Sequence, residues 1–197
     1  MRPEREALLR HLKQFGEKSD RAATAHAEKM LNITADTGLM LWMLIRAMAP
    51  RSVLEVGTSN GYSTIWWADA VPDGARLVTL EADQQKLAMA RANFQEAGLA
   101  GGIELVPGDA TEFLKTARAR DWDLIFLDAD RKRYVNWWPD LFRILAQDGL
   151  LVVDNAVDKA GELAGFRSLV AATPGSRQVL VPIGNGELFI QHDPDLL

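Results

Sequence analysis

The 197-residue chain has no cysteine, which excludes a disulfide framework, a thiolate metal site and a cysteine nucleophile, and fits a reducing compartment. Histidine is nearly as scarce, with three residues. His11, His26 and His192 have no metal-ligand spacing and no nucleophile motif beside them, which points to surface or capping roles. A long apolar run is missing too: the most apolar stretch, Leu39 to Met48, contains Arg46 and is too short to span a bilayer. The opening Met1-Arg-Pro-Glu-Arg-Glu carries charges where a signal peptide needs an apolar core, so the expected location is cytoplasmic. Excess positive charge is also lacking. The formal net charge of −5 repels polyanions on average, and neither nucleic acid nor membrane is an expected partner.

What is present is an ordinary globular balance, 48% hydrophobic and 25% charged, in a chain long enough to bury a core between a sheet and two helix layers. No repeat, low-complexity segment or linker interrupts it, so one domain over residues 1–197 is expected. Residues 1–50 read as helical. Leu8, Leu9, Leu12 and Phe15 recur at helical spacing, a second segment covers about Asp20 to Met30, and a third helix starts at the N-cap Thr34 and stops at Pro50. From Ser52 onwards apolar runs (52–56, 77–80, 103–106, 124–127 and 150–153) alternate with helical segments such as Gln84 to Glu96, the pattern of a parallel sheet covered on both faces. Two late runs, 178–181 and 187–191, flank a Gly-Asn-Gly turn and predict an antiparallel hairpin. The fold class is α/β, a doubly wound, Rossmann-like sheet, mostly parallel with an antiparallel end.

In such sheets ligands bind beyond the carboxyl ends of the strands. The first strand runs into Glu55-Val-Gly57-Thr-Ser-Asn-Gly61-Tyr-Ser63, where two glycines permit a sharp turn. The second ends in Glu81, placed to accept hydrogen bonds from ribose hydroxyls, and the third in Gly108-Asp109-Ala110, placed to meet an adenine edge. A glycine loop with a downstream acid also occurs in nicotinamide enzymes, but Gly57 and Gly61 lack the closely spaced partner glycine of that fingerprint. Further on stand Asp123-Leu-Ile-Phe-Leu-Asp-Ala-Asp130 and Asp148-Gly-Leu-Leu-Val-Val-Asp-Asn155.

From about Asn32 to Gln191 these pieces, with Val181-Pro-Ile-Gly-Asn-Gly186, resemble the class I methyltransferases. The particular likeness is to the family of catechol O-methyltransferase, caffeoyl-coenzyme A O-methyltransferase and their small bacterial relatives. The resemblance implies a seven-stranded sheet with residues 1–50 as a helical cap and 51–197 as the cofactor-binding core. It implies S-adenosylmethionine as methyl donor, held by Glu55, Gly57, Thr58, Ser59, Gly61, Tyr62, Ser63, Glu81, Ala82, Gly108, Asp109, Ala110, Asp128 and Asp130. It also implies a small hydroxylated, aromatic acceptor and a homodimer built on the N-terminal helices and late strands.

The family's metal positions fall on Asp128, Asp154 and Asn155. In a sheet of this kind two neighbouring strands end in Leu127-Asp128 and Val153-Asp154-Asn155, and such oxygen ligands suit Mg²⁺, Ca²⁺ or Mn²⁺. The competing reading is that Asp128 only touches the cofactor while Asp154 and Asn155 cap a turn. Where the family places a proton-accepting lysine this chain has Arg131, with Tyr134 fixing the register, and a guanidinium cannot act as a base near neutrality. The catalytic candidates are therefore Asp128, Arg131 and Lys132, with the metal acidifying the hydroxyl. The alternatives are a metal-independent methyltransferase, a binding protein without turnover, and a nicotinamide-dependent reductase. A further departure, Ala156-Val-Asp-Lys159, replaces the apolar and aromatic residues usual there and argues against an ordinary catechol. Trp66-Trp67 and Trp137-Trp138 read as core or subunit contacts, and Met30, Met40, Met43 and Met48 as core or interface filler. Arg131-Lys132-Arg133 reads either as an anion-attracting cluster or as a solvated loop.

Overall fold

The computed structural model describes residues 1–25 and 28–193, so His26 lies outside the described residues. Helices α1 (Pro3–Ala22) and α2 (Ala35–Met48) precede an alternating run of strands and helices. These are β1 (Ser52–Val56), α3 (Tyr62–Ala70), β2 (Arg76–Glu81), α4 (Gln84–Glu96), β3 (Ile103–Pro107), α5 (Ala110–Thr116), β4 (Trp122–Leu127), α6 (Tyr134–Ile144), β5 (Leu145–Val153), α7 (Ala160–Ala172), β6 (Ser176–Val181) and β7 (Glu187–His192). The strands form one sheet in the order β3-β2-β1-β4-β5-β7-β6. β1 to β5 pair in parallel, while β7 runs antiparallel to both β5 and β6. The expected doubly wound sheet and its late hairpin are both present.

Alternation along the central strands distributes the core between two layers. Leu54, Val56, Ile125, Leu127, Leu151 and Val153 pack with Leu114, Trp138, Leu141 and Phe166 of α5, α6 and α7. Val53, Leu124, Phe126 and Val152 pack with Leu9, Leu41, Ile45, Trp67 and Phe94 of α1 to α4. Trp67, Trp137 and Trp138 are buried, in keeping with core roles. Among the described residues no helix is long and apolar enough to cross a membrane.

One expected element is absent. Among the described residues a separate second helix over Asp20 to Met30 is not seen: α1 runs on to Ala22 and ends with Ala23 in extended backbone. The Asp20 carboxylate instead accepts from the N–H groups of Met30 (2.6 Å) and Leu31 (3.0 Å). A side chain that satisfies backbone donors in this way competes with helix formation. Leu31 takes a positive φ of 51°, and residues 30–33 lie along the edge where β1 to β4 end. Thr34 then caps α2 by accepting from Thr37 N–H at 3.1 Å.

Candidate functional site

The carboxyl ends of β1 to β4 open onto one cavity of about 710 Å³, within the usual range for small-molecule sites. Of the residues singled out from sequence, Gly57, Thr58, Ser59, Tyr62, Ser63, Glu81, Ala82, Gly108, Asp109, Ala110, Asp128, Asp130, Arg131 and Lys132 line it. Glu55, Gly61, Asp154 and Asn155 do not. Met30, read as core or interface filler, and Trp137, read as a core or subunit contact, line it as well, and so do residues not anticipated, among them Leu31 to Ile33, Lys86, Lys159 and Glu162.

At Gly57 (φ 107°) an added Cβ would stand 2.0 Å from the carbonyl oxygen of Asp128. The bare backbone is therefore needed first for β1 and β4 to end side by side. Glu81 is pinned from both sides, accepting from Ser59 N–H at 2.7 Å and Asp83 N–H at 2.9 Å, and each oxygen keeps a lone pair for a ligand. Asp109 caps α5 by accepting from Thr111 N–H at 2.8 Å and pairs with Arg133 at 2.6 Å. The Thr111 bonds, then Arg133, lower its carboxyl to about 2. Each of its oxygens is thus engaged once by protein, as those of Glu81 are, and residues 108–110 line the cavity.

Glu55 is turned away from the cavity and fully buried. Ser63, Thr64 and Thr79 hydroxyls donate to it at 2.5 Å each and Trp67 Nε1–H at 2.9 Å. Burial raises its carboxyl and the four donors oppose that shift. This residue ties β1, β2 and α3 together. Gly61 is likewise internal, since an added Cβ would meet the Phe94 ring at 2.5 Å.

Beside Asp128, which lines the cavity, Leu127 pairs with Val153 and Val153 with Leu188. One residue beyond, Asp128, Asp154 and Glu187 stand in a row across β4, β5 and β7, on the face covered by α1 to α4. Asn155 follows at φ 65°. Its Nδ2–H donates to Asp154 Oδ2 at 2.6 Å and, more weakly, to Asp128 Oδ1 at 3.4 Å, while its Oδ1 accepts from Asn185 at 3.2 Å. Glu187 receives one donor, the Thr37 hydroxyl at 3.0 Å. Asp154 Oδ1 and Glu187 Oε2 are buried without a donor. Two such carboxyls can bond to each other only when one holds a proton. Burial, and then the neighbouring Asp154 carboxylate, raise the Asp128 carboxyl well above the ordinary range and push that of Glu187 up to about 10. Burial raises Asp154 as well.

Arg131 is the cation nearest this row in effect, lowering both aspartates. Its Nε–H donates to Glu162 of α7 at 2.8 Å. Burial pulls the guanidinium down, but the Glu162 bond leaves it above its ordinary value and so charged. The Tyr134 hydroxyl, accepting from Ala129 N–H at 2.7 Å and donating to Ala129 O at 3.0 Å, fixes the loop that carries Arg131. Lys132 is exposed on the rim. Among the described residues no three acidic or histidine side chains already close around one point as a metal cage. In kind the donor set fits a hard divalent ion: two aspartates, buried carboxyl oxygens that no third group reaches, and an asparagine whose Oδ1 would turn from Asn185 towards the row.

The chain matches a family model described as O-methyltransferase over residues 6–186. It is 38% identical over 132 residues to a catechol O-methyltransferase of Mycobacterium tuberculosis, covering 67% of this chain and 60% of that protein. The match thus spans about three fifths of that relative's length. It is 32% identical over 157 residues to a catechol O-methyltransferase of Niastella koreensis, covering 78% and 71%. In fold it resembles the O-methyltransferase from Bacillus cereus solved in complex with SAH. The TM-score is 0.79 at 24% identity, over 95% of this chain and 91% of that one.

Proposed function

Because this chain belongs to the O-methyltransferase family, we propose that it transfers a methyl group from S-adenosylmethionine to a hydroxyl oxygen of a small aromatic acceptor, assisted by a divalent cation at Asp128, Asp154 and Asn155. The observation that carries this reading is the cavity itself. Its one wall holds Glu81 and residues 108–110, and its other is bounded by Asp128 and Arg131. The volume of about 710 Å³ leaves room for a nucleoside-sized donor and a small acceptor together.

When bound, the donor supplies a methyl group made electrophilic by a positive sulfur, and Mg²⁺, Mn²⁺ or Ca²⁺ supplies positive charge that lowers the pKa of a hydroxyl beside it. The chain's own residues do the rest. Glu81, held by two N–H groups, accepts from ribose hydroxyls, and Gly108 to Ala110 meet the adenine edge. Asp128, Asp154 and Asn155 hold the cation. Arg131 keeps its proton, so it orients the acceptor and stabilises an oxyanion rather than acting as base, and the hydroxyl proton leaves to solvent water. Tyr134 keeps that loop in register, which fixes the alignment on which a displacement depends. Glu55, remote from the ligand, holds the loop of residues 57–63 in place.

We read residues 1–197 as one domain, with 1–50 as a cap, acting as a cytoplasmic homodimer. Leu39 and Met43, 49% and 59% exposed on α2, offer an apolar face for a second copy. Gel filtration with light scattering tests that part.

The test of the reaction is release of S-adenosylhomocysteine over a panel of hydroxylated aromatic acceptors, with and without chelator. Product that disappears with chelator and returns with Mg²⁺ supports the proposal. Undiminished activity after complete metal removal excludes the cation and leaves a metal-independent methyltransferase, for which the charged Arg131 is the favouring observation. Donor binding without product on any acceptor leaves a binding protein.

A further inference from the structure

Glu187 takes no part in the reaction described above, yet it stands beside it. It is fully buried at the head of β7. It lies opposite Asp154, one step past the Val153–Leu188 pair. A carboxyl removed from water needs donors or positive charge around it, and this one has a single donor. Thr37 reaches Oε1 at 3.0 Å, while Oε2 and Asp154 Oδ1 have no donor from any third residue and face each other. Among the described residues neither acid forms an ion pair with a lysine or arginine, although Arg131 lies close enough to influence Asp154.

The surroundings are built tightly around this group. Thr34 donates to the Thr37 hydroxyl at 3.0 Å, which aims Thr37 at Glu187. Gly184 (φ 56°) packs its backbone against both hydroxyls, where an added Cβ would approach them to 2.3 and 2.4 Å. The first turn of α2, the β6–β7 turn and Glu187 therefore form one packed unit. Two oxygens that no third group reaches, Asp154 Oδ1 and Glu187 Oε2, mark where a proton or a cation has to stand.

We propose that Glu187 is a third carboxylate of the cation site, reaching the ion through Oε2 from the β7 side. This rests on the reading of Asp128, Asp154 and Asn155 as a divalent-cation site. It changes the expected character of that site, because an added carboxylate raises affinity for a hard ion. It also links ion binding to the N-terminal helices through Thr37.

The test is titration of the purified full-length protein with Mn²⁺ alone, following free Mn²⁺ by electron paramagnetic resonance. Wild type is expected to bind Mn²⁺, D154N to lose binding, and E187Q to bind about tenfold more weakly or worse, the scale on which carboxylates around a metal site act. A wild-type-like far-UV signal shows that E187Q is folded. Equal Kd values for E187Q and wild type overturn the role of Glu187 and leave the cation site standing. Failure of wild type to bind Mn²⁺ overturns both. Should E187Q not fold, E187D decides: its shorter reach lowers affinity if Glu187 touches the ion and leaves it unchanged if not.

Discussion

Glu55 and Glu187 are both fully buried, on the same face of the sheet, and the chain surrounds them in opposite ways. Glu55 receives four side-chain donors from β2 and α3. Glu187 receives one and faces another acid. Burial alone therefore does not distinguish scaffold from site. The count of satisfied lone pairs does: a saturated carboxylate is a structural tie, and an unsaturated one in a polar row waits for a positive partner.

The largest effect should come from breaking the tie. Glu55→Ala leaves four buried donors without an acceptor, and a loss of about 3 to 5 kcal/mol is expected. Thermal denaturation should show a fall in Tm of roughly 10 °C or more; a Tm near wild type would mean that the saturated acid is not the scaffold. Next is Asp128→Asn, which removes one charge from the row. Methyl transfer should drop about a hundredfold or more, while the Tm holds or rises because a buried like-charge contact is relieved. A large drop in Tm would show that the row is structural after all.

A smaller and opposite change is expected for Arg131→Lys. A lysine at this position can give up its proton, so methyl transfer should rise, by up to about tenfold, most clearly at alkaline pH where an amine base is free. An unchanged pH–rate profile would indicate that proton removal does not limit the reaction.

The smallest effect concerns the N-terminal helices, which are tied to the sheet layer by a charged and satisfied contact. Asp69 accepts from Arg5 at 2.6 Å and from Trp42 at 2.9 Å. Burial raises its carboxyl, but the Arg5 and Trp42 bonds and the Met1 amino group outweigh that, and the net shift is downward. Asp69→Asn should cost about 1 to 2 kcal/mol at neutral pH. Because the folded value is depressed, this contribution is present above about pH 4, the unfolded value. It is lost as pH falls through the lower folded value. Urea midpoints of wild type and D69N should therefore converge in acid; a gap that persists there would remove the charge from the explanation.

Much of the fold could be read from residue order. The apolar runs at 52–56, 77–80, 103–106 and 124–127 became β1 to β4 with at most two residues added at either end, because a strand buried on both faces leaves a continuous apolar signal. Thr34, a capping residue ahead of an apolar helix, marked the start of α2. The helix expected over Asp20 to Met30 was not legible as a turn, since the partners of Asp20 lie ten and eleven residues away. The strand-end polar residues were legible as a set, but their individual duties were not. Glu55 spends its oxygens on the protein itself.

Sequence by itself determined the class of sheet, the strand ends at which the cavity opens, and the presence of aspartate and asparagine side chains at those ends, because period, punctuation and residue chemistry are local properties. Tertiary structure alone decided which carboxylates are saturated and which are left wanting. It set Glu187 in line with Asp154 and Asp128, although these come from positions up to 59 residues apart in the chain. Strand register, which no single segment specifies, aligns them, and the number of donors that packing brings within reach decides what each acid can do.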